Sequence, residues 1–366
     1  MSRIVIFSGL KHPIGDSVSA ERHDRYAKVL IEKTLMQVEL ASFAMRSKSA
    51  LEQKLLYLKL INCGSGDSLL KLSLFSILWA SRLKKPEVPV LISSPDPHIL
   101  GFLVIILKKF MRGNPAIQIQ CHGDFGDKNW RKNSFKNWIF SKLAQITLIR
   151  ANQVRCVGKS QAEKMISAYK INPSKIIIAP IPTKDKGDLP EWIKPTIPVV
   201  SFLGRLHKER SVDVWVQTAQ EMFSVKNDVH FLIIGDGPER ENFKKGLSDI
   251  PANQVSFVGK LPNEEALELM AKSSLLLSTA PFESFGMAMV EAAKIGLPIV
   301  SKPTSGALDL SEGYDSISLG NTPKELAGLA LAALNREAPG VISDSLFLQS
   351  ENETVDAIVD AWIKLL

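Results

Sequence analysis

Short apolar runs and longer helical patterns alternate along this chain of 366 residues, and they do so twice, on either side of a cluster of prolines. In the first half, strands are expected at Arg3–Phe7, 89–93, Ala116–Cys121, 153–157 and 176–179, with helices at 20–35, 69–83, Ile99–Phe110, 133–149 and 161–169. In the second half, strands are expected at Val199–Leu203, His230–Ile234, 254–258, Leu275–Ser278 and 298–301, with helices at 212–222, 238–246, Asn263–Ala271, 286–294 and 324–334. This alternation predicts an α/β fold of two Rossmann-like, doubly wound domains with a cleft between them. Pro180, Pro182, Pro190, Pro195 and Pro198 resist regular structure. The expected division is a first domain over 1–185, a linker over 186–198, a second domain over 199–350 and a terminal helix over 351–366. The stripe Val355, Ile358, Trp362 and Leu365 is expected to pack that helix back on the first domain.

The net charge of +7 hides an asymmetry: residues 1–190 carry +16 and the remainder −9. A basic half predicts an anionic partner, with nucleic acid, an anionic membrane and phosphate-bearing lipids as the classes that fit. The segment 130–142, with Trp130, Phe135, Trp138 and Phe140 among Arg131, Lys132, Lys136 and Lys142, suits a membrane interface and equally an ordinary amphipathic helix. No apolar run reaches the ~18 residues of a spanning helix, and no signal-peptide pattern precedes Arg3–Phe7. Cys63, Cys121 and Cys156 are unclustered, which argues against a disulfide scaffold or a zinc site and makes the cytosol the expected compartment.

The segment Pro281-Phe-Glu-Ser-Phe-Gly-Met-Ala-Met-Val-Glu291 carries the sharpest motif. A strand leads through a Ser284-Phe285-Gly286 turn into a helix. With Ser284 as cap, the amides of Phe285, Gly286 and Met287 form an anion site. Glu283 lies before the helix and Glu291 roughly 8–10 Å along it, at ~1.5 Å per residue. That is the reach of a ligand with phosphates at its centre and hydroxyl-rich ends. A solvated loop acid and a surface helix acid are the plain alternative. In Val199–Leu203 followed by Gly204-Arg205-Leu-His-Lys208-Glu-Arg210-Ser211, a strand ends in glycine and cations follow at once. Arg205 and Arg210, with Lys208 a weaker candidate, suit a diphosphate clamp. In the first half, His122-Gly-Asp124 follows one strand and Asp96-Pro-His98 another. His122 suits a sugar hydroxyl, and Asp124, Asp96 and His98 an acceptor. Gly15-Asp16 is a third loop of this kind. Gly235-Asp-Gly237-Pro238 is not a dinucleotide fingerprint, because Arg240 occupies the last glycine position.

Together these motifs resemble those of retaining glycosyltransferases of family 4, which have the GT-B fold. Glu283 and Glu291 match that family's E-x7-E, and Gly204, Arg205 and Arg210 its G-R-x-x-x-x-K-G. The resemblance implies a nucleotide-diphosphate sugar donor of UDP or GDP type, with no essential metal and no other cofactor. It also implies a glycan or lipid-linked acceptor in cell-surface polysaccharide synthesis, with sugar transfer at the inner face of the membrane. By the same resemblance, Arg205, Arg210 and the amides of Gly286 and Met287 hold the diphosphate. Glu291 binds the ribose, Glu283 the sugar, and His122 sits beside that sugar. Lys260 and Leu261 border the base, and Thr304, Ser305 and Gly306 lie near the phosphates or the sugar. The chain departs from the pattern where Arg210 replaces lysine, where Ser211 replaces glycine, and where Gly15 stands without the usual glycine pair. Alternative readings are another GT-B enzyme, an epimerase or a phosphorylase, and a nucleic-acid-binding protein using the basic half.

Overall fold

The structure is a computed structural model that describes residues 3–7, 17–42, 56–62, 90–111, 114–343 and 345–366. The expected helix at 69–83, Cys63 and the Gly15-Asp16 loop lie outside the described residues.

The chain divides into two compact units. The first comprises Met1–Val157, Gln161–Ala179 and Asn352–Leu366, and the second comprises Gly158–Ser160 and Pro180–Glu351. The first unit holds strands β1 (Arg3–Phe7), β2 (Gln37–Ser42), β3 (Leu58–Asn62), β4 (Leu91–Ser94), β5 (Ala116–Cys121), β6 (Gln153–Cys156) and β7 (Ile176–Ile178). They form one parallel sheet in the order β3-β2-β1-β4-β5-β6-β7. The second unit holds β8 (Val199–Leu203), β9 (His230–Ile234), β10 (Val255–Gly259), β11 (Leu275–Ser278), β12 (Ile299–Ser301) and β13 (Ile317–Leu319), in the order β10-β9-β8-β11-β12-β13. Both sheets run outward from their first strand, then cross to its other side. That reversal is the switch point at which open α/β sheets bind ligands beyond the carboxyl ends of their strands.

Burial on both faces explains why most strands read as continuous apolar runs. In the second unit, helix Val212–Val225 buries Val212, Trp215, Val216, Ala219 and Met222, one face at helical spacing. Trp215 meets Phe202, Phe231 and Phe243 edge-on. Helix Glu351–Ile363 belongs to the first unit from Asn352 onward and packs Val355, Ile358, Val359 and Trp362 against Ile4, Ile6, Tyr26, Leu30 and Leu91.

Three strands escaped the sequence reading. β2 (Gln37–Ser42), β3 (Leu58–Asn62) and β13 (Ile317–Leu319) carry polar residues in short runs, and pairing to a neighbour rather than hydrophobicity defines them. The segment expected as a free linker is instead part of the second unit. Ile193 N donates to Ala271 O (2.9 Å) and Trp192 Nε1 to Ser273 O (2.8 Å), so its prolines lie along the surface of the unit.

Candidate functional site

In the second unit the strand order reverses between β8 and β11, and the two sharpest motifs follow these two strands. After β8 the chain turns at Gly204, whose N–H donates to Ile234 O (3.0 Å). Leu206 N donates to Asp236 O (3.0 Å), which holds this loop against the one after β9. The approach requires glycine at 235, because a Cβ there would stand 1.9 Å from Gly204 O. Arg205 is 76% exposed, with Glu209 as its nearest carboxylate at 4.0 Å. Arg210 closes the short 3-10 turn Lys208–Arg210, and Ser211 follows with φ +46.

After β11 comes Thr279, buried, whose hydroxyl lies 3.0 Å from Arg210 O and 3.2 Å from Ser211 O. It fixes the backbone from which Arg210 projects. The Arg210 guanidinium meets the Glu283 carboxylate in a partly buried ion pair. Helix Met287–Ile295 starts immediately beyond, with Gly286 at the cap position and φ +78. Ser284 is therefore not the cap, contrary to the sequence expectation. It is buried, two positions too early, and no side chain caps this helix. The first-turn amides begin at Met287, so the Phe285 amide precedes them. The Phe285 ring is buried against Phe347, with centroids 4.8 Å apart. The loop after β12 seats on the same turn, where Gly306 N donates to Glu283 O (2.8 Å). Thr304 caps helix Ser305–Ser311 and Ser305 is buried in its first turn.

Glu291 is a buried helix residue. Burial pushes its carboxyl up to about 7, against an opposing hydrogen bond from Asn263 and the nearby Lys184 and Lys294 charges. Lys294 is buried one turn on, where burial lowers its pKa, and its Nζ donates to Lys184 O (3.0 Å) and Gln349 O (3.1 Å). The helix start without a side-chain cap thus stands between an ion-paired acid and a buried acid. Lys260 is exposed just past β10, and Leu261 packs beside Ile234 and Ala266.

In the first unit, His122 follows β5, and its Nε2 lies 3.0 Å from Gln120 Oε1. Desolvation, then the charges of Arg155 and Arg22, lower the pKa of its imidazole, and the residue is exposed to solvent. Asp96, expected to face an acceptor, accepts the His98 amide (2.8 Å) and those of Ile99 and Leu100, so it serves the start of helix Ile99–Phe110. His98 is buried. Its ring stacks on Phe140 and Trp130 and meets Phe125 edge-on, and its Nδ1 donates to Phe140 O (3.1 Å). Burial lowers its pKa to about 4. Asp124 is almost fully buried and receives Lys164 Nζ at 3.0 Å. These three side chains therefore have structural partners; His98 and Asp124 are buried, Asp96 is half-buried, and His122 is exposed. Gly15 lies outside them. Among the described residues no three His, Cys, Asp or Glu side chains cluster as a metal site, and no helix is long and apolar enough to cross a membrane.

Sequence reasoning passed over Thr279, Lys294 and the polar partners of His122. Thr279 ends an apolar run and Lys294 sits on a buried helix face, so only the fold marks them. The glutamines on β5 did carry a signal in the period-two spacing of Gln118, Gln120 and His122.

Residues 197–336 match the family model described as glycosyl transferases group 1. The matched segment lies within the second unit. The matched segment holds both carboxylates and both arginines, which agrees with the glycosyltransferase resemblance read from those motifs. The chain is 27% identical over 183 residues to the GPI3 subunit of phosphatidylinositol N-acetylglucosaminyltransferase of Saccharomyces cerevisiae, covering 46% of this chain and 39% of that protein. It is 28% identical over 203 residues to the 2-deoxystreptamine glucosyltransferase of Streptomyces kanamyceticus, covering 53% and 51%. The chain thus spans two-fifths to one-half of the length of these curated relatives. Anabaena HepE in complex with UDP-glucose superposes over the whole of both chains with a TM-score of 0.69 at 16% identity. The sucrose-phosphate synthase of Thermosynechococcus elongatus superposes with a TM-score of 0.70 at 13% identity, covering 100% of this chain and 96% of that one. The architecture around the matched segment is accordingly the α/β GT-B fold.

Proposed function

We propose that this chain is a retaining glycosyltransferase that moves a sugar from a nucleoside-diphosphate donor, of uridine or guanosine type, to a hydroxyl of a glycan or lipid-linked glycan. The observation that carries this reading is the Arg210–Glu283 ion pair at the sheet's switch point, beside the uncapped start of helix Met287–Ile295. A diphosphate at that start meets backbone amides, the positive end of the helix dipole and the two arginines. As the bond from the anomeric carbon to phosphate oxygen breaks, its electron pair stays on the diphosphate, where these groups stabilise it. The acceptor oxygen bonds to the same face of the carbon and passes its proton to the departing phosphate oxygen. No protein nucleophile takes part. Glu291 accepts ribose hydroxyls, Glu283 the sugar's hydroxyls, and Lys260 and Leu261 border the base. The names of relatives that transfer glucosyl and N-acetylglucosaminyl groups, and a structural neighbour holding UDP-glucose, support this reading.

No metal is assigned a role. Incubation with UDP-, GDP- and ADP-sugars should give transfer or slow donor hydrolysis with one of them, unchanged by EDTA, and an α-linked product from an α-linked donor. An inverted product, or no turnover and no binding with any donor, would overturn the reading.

The same reading places the protein on the cytoplasmic face of a membrane. Helix Phe135–Arg150 exposes Phe135 (76%), Trp138 (51%) and Ile139 (39%), with the first two rings stacked at 5.7 Å. The Lys142 ammonium sits 5.8 Å from the Trp138 centroid, so cations flank the aromatics as an anionic headgroup layer requires. Trp130 and Phe140 belong instead to the His98 stack. Flotation with vesicles of anionic lipid should retain the protein and release it on Phe135→Ser/Trp138→Ser substitution. Equal flotation of both proteins would remove the membrane from the proposal.

A further inference from the structure

We infer that Arg240 reads the base of the donor: its guanidinium stands beside the open backbone at Gly259 and requires a carbonyl oxygen on the base edge that faces it, which admits uracil or guanine and rejects cytosine and adenine. The inference rests on the reading of this site as one for a nucleoside-diphosphate sugar.

Arg240 is the residue that breaks the dinucleotide fingerprint after β9. The loops after β8, β9 and β10 are sewn together by their backbones. Leu206 N donates to Asp236 O (3.0 Å), Glu239 N to Leu206 O (3.0 Å) and Gly235 N to Gly259 O (2.8 Å). A Cβ at Gly237 would stand 2.3 Å from Leu206 O, so this approach too requires glycine. Helix Arg240–Gly246 begins on that platform. Its first side chain runs over β10, where Arg240 Cζ lies 6.0 Å from the centroid of the Phe257 ring. Phe243 meets that ring edge-on at 5.8 Å and pins it. Arg240 Nη1 lies 3.5 Å from Asp236 Oδ2. An aromatic face and a carboxylate thus hold the guanidinium, and 29% of the side chain stays exposed.

Beside the guanidinium is backbone without a side chain. Gly259 has φ +76. A Cβ there would meet Arg240 Nη1 at 3.6 Å and, chain neighbours aside, no other atom within 4 Å among the described residues. A peptide surface bordered by a guanidinium suits a planar, polar ring. The next two residues, Lys260 and Leu261, are those read as bordering the base. Asn263, four residues on from Gly259, hydrogen-bonds the Glu291 carboxyl, the group read as holding the ribose. Four residues span at most about 14 Å, so one nucleotide reaches both places.

A guanidinium can only donate. Uracil O4 and guanine O6 accept at the exocyclic position where cytosine and adenine carry an amino group, itself a donor. An amino group opposite Arg240 would set two donors face to face and leave both unsatisfied. Asp236 does not touch the base in this scheme; it is a positioning residue that keeps the guanidinium at the edge of Gly259.

Calorimetry on the whole protein with UDP, CDP, GDP and ADP tests the inference. Wild type should bind UDP over CDP, or GDP over ADP, by about 10- to 100-fold, the usual discrimination of one well-made base contact. In Arg240→Met that preference should disappear. The preference reports the base alone, because loss of a positive charge weakens all four anionic nucleotides together. A purely structural Arg240 would leave it unmoved. Arg240→Lys keeps the cation beside Asp236 without the planar fork; it is the second variant where Arg240→Met does not fold, and it should lose most of the preference as well. A wild type that binds CDP or ADP as tightly as UDP or GDP, or a preference unchanged in the folded variant, would overturn the inference and leave transfer from a nucleotide-sugar standing. Binding of none of the four nucleotides would overturn both. The expected preference in a protein that turns over no nucleotide-sugar would count against the glycosyltransferase reading alone.

Discussion

Arg210 and Glu283, 73 positions apart in the chain, are joined by a guanidinium–carboxylate contact that ties the loop after β8 to the loop after β11. Both motifs were visible in the sequence as separate features. Their pairing joins the two motifs and holds the arginine beside the helix start at Met287, so the proposed clamp and the proposed sugar-binding acid would act as one device.

Arg205 and Arg210 should separate in their effects. Arg205 is exposed and makes no close ion pair, so Arg205→Ala should leave the melting temperature within about 0.5 kcal/mol of wild type in stability. Its kcat/KM should fall about 100- to 1000-fold, the loss typical of a removed oxyanion donor. Arg210→Ala should show the same kinetic loss with some destabilisation, because Glu283 loses its partner. Wild-type turnover in either variant removes that arginine from the site.

Gly286→Ala tests the helix start. The cap position has φ +78, and an added Cβ would stand 2.3 Å from Met289 Cε and 3.3 Å from Glu283 Cγ. Strain of about 1–3 kcal/mol is expected, together with loss of UDP binding by calorimetry. A variant that binds UDP as tightly as wild type would show that the phosphates lie elsewhere.

Glu291 should trade stability for binding. Its folded pKa, raised by burial to about 7 from an ordinary 4.5, means that the folded state keeps a proton the unfolded chain releases. Its contribution to stability is fully present below about pH 4.5 and is lost as pH rises to 7. Glu291→Gln should therefore stabilise the free protein at pH 8, by about 2 kcal/mol, with the gain gone by pH 4.5. The same variant should bind nucleotide less well. In wild type, nucleotide affinity should fall as pH drops below 7, because a protonated carboxyl accepts ribose hydroxyls poorly. A pH-independent affinity would place the ribose away from Glu291.

Thr279→Val removes the hydroxyl that supports the Arg210 and Ser211 carbonyls while keeping the side chain's volume. A buried carbonyl left without its donor costs about 1–3 kcal/mol. Denaturant unfolding should report that loss, and kcat should drop with it as Arg210 shifts. A variant neutral in both measurements would mean that Arg210 is placed by Glu283 alone.

Much of the fold was legible because both faces of each sheet are covered, and continuous apolar strands between amphipathic helices leave few other arrangements. β2, β3 and β13 were not legible, since a short polar strand is defined by its neighbour. In the site, Gly204, Arg205, Arg210, Glu283, Gly286 and Glu291 could be read from local spacing. Asp96, Asp124 and His98 were misread as candidates for solvent-facing roles. A helix start, a lysine and an aromatic stack claim them, and all three partners come from packing.

By itself, the sequence determined the two α/β units, the strand-turn-helix carrying Glu283 and Glu291, and the placement of cations after a glycine-ended strand. These are local properties, written in periods of two and 3.6 and in turn chemistry. Only the tertiary structure decided that β8 and β11 lie side by side, that Gly286 and not Ser284 begins the helix, that Glu291 is buried enough to titrate near neutrality, and that the Gln120 amide faces His122 with its oxygen. Those outcomes depend on which groups meet across the sheet, and the donors and acceptors so enclosed must be satisfied by one another.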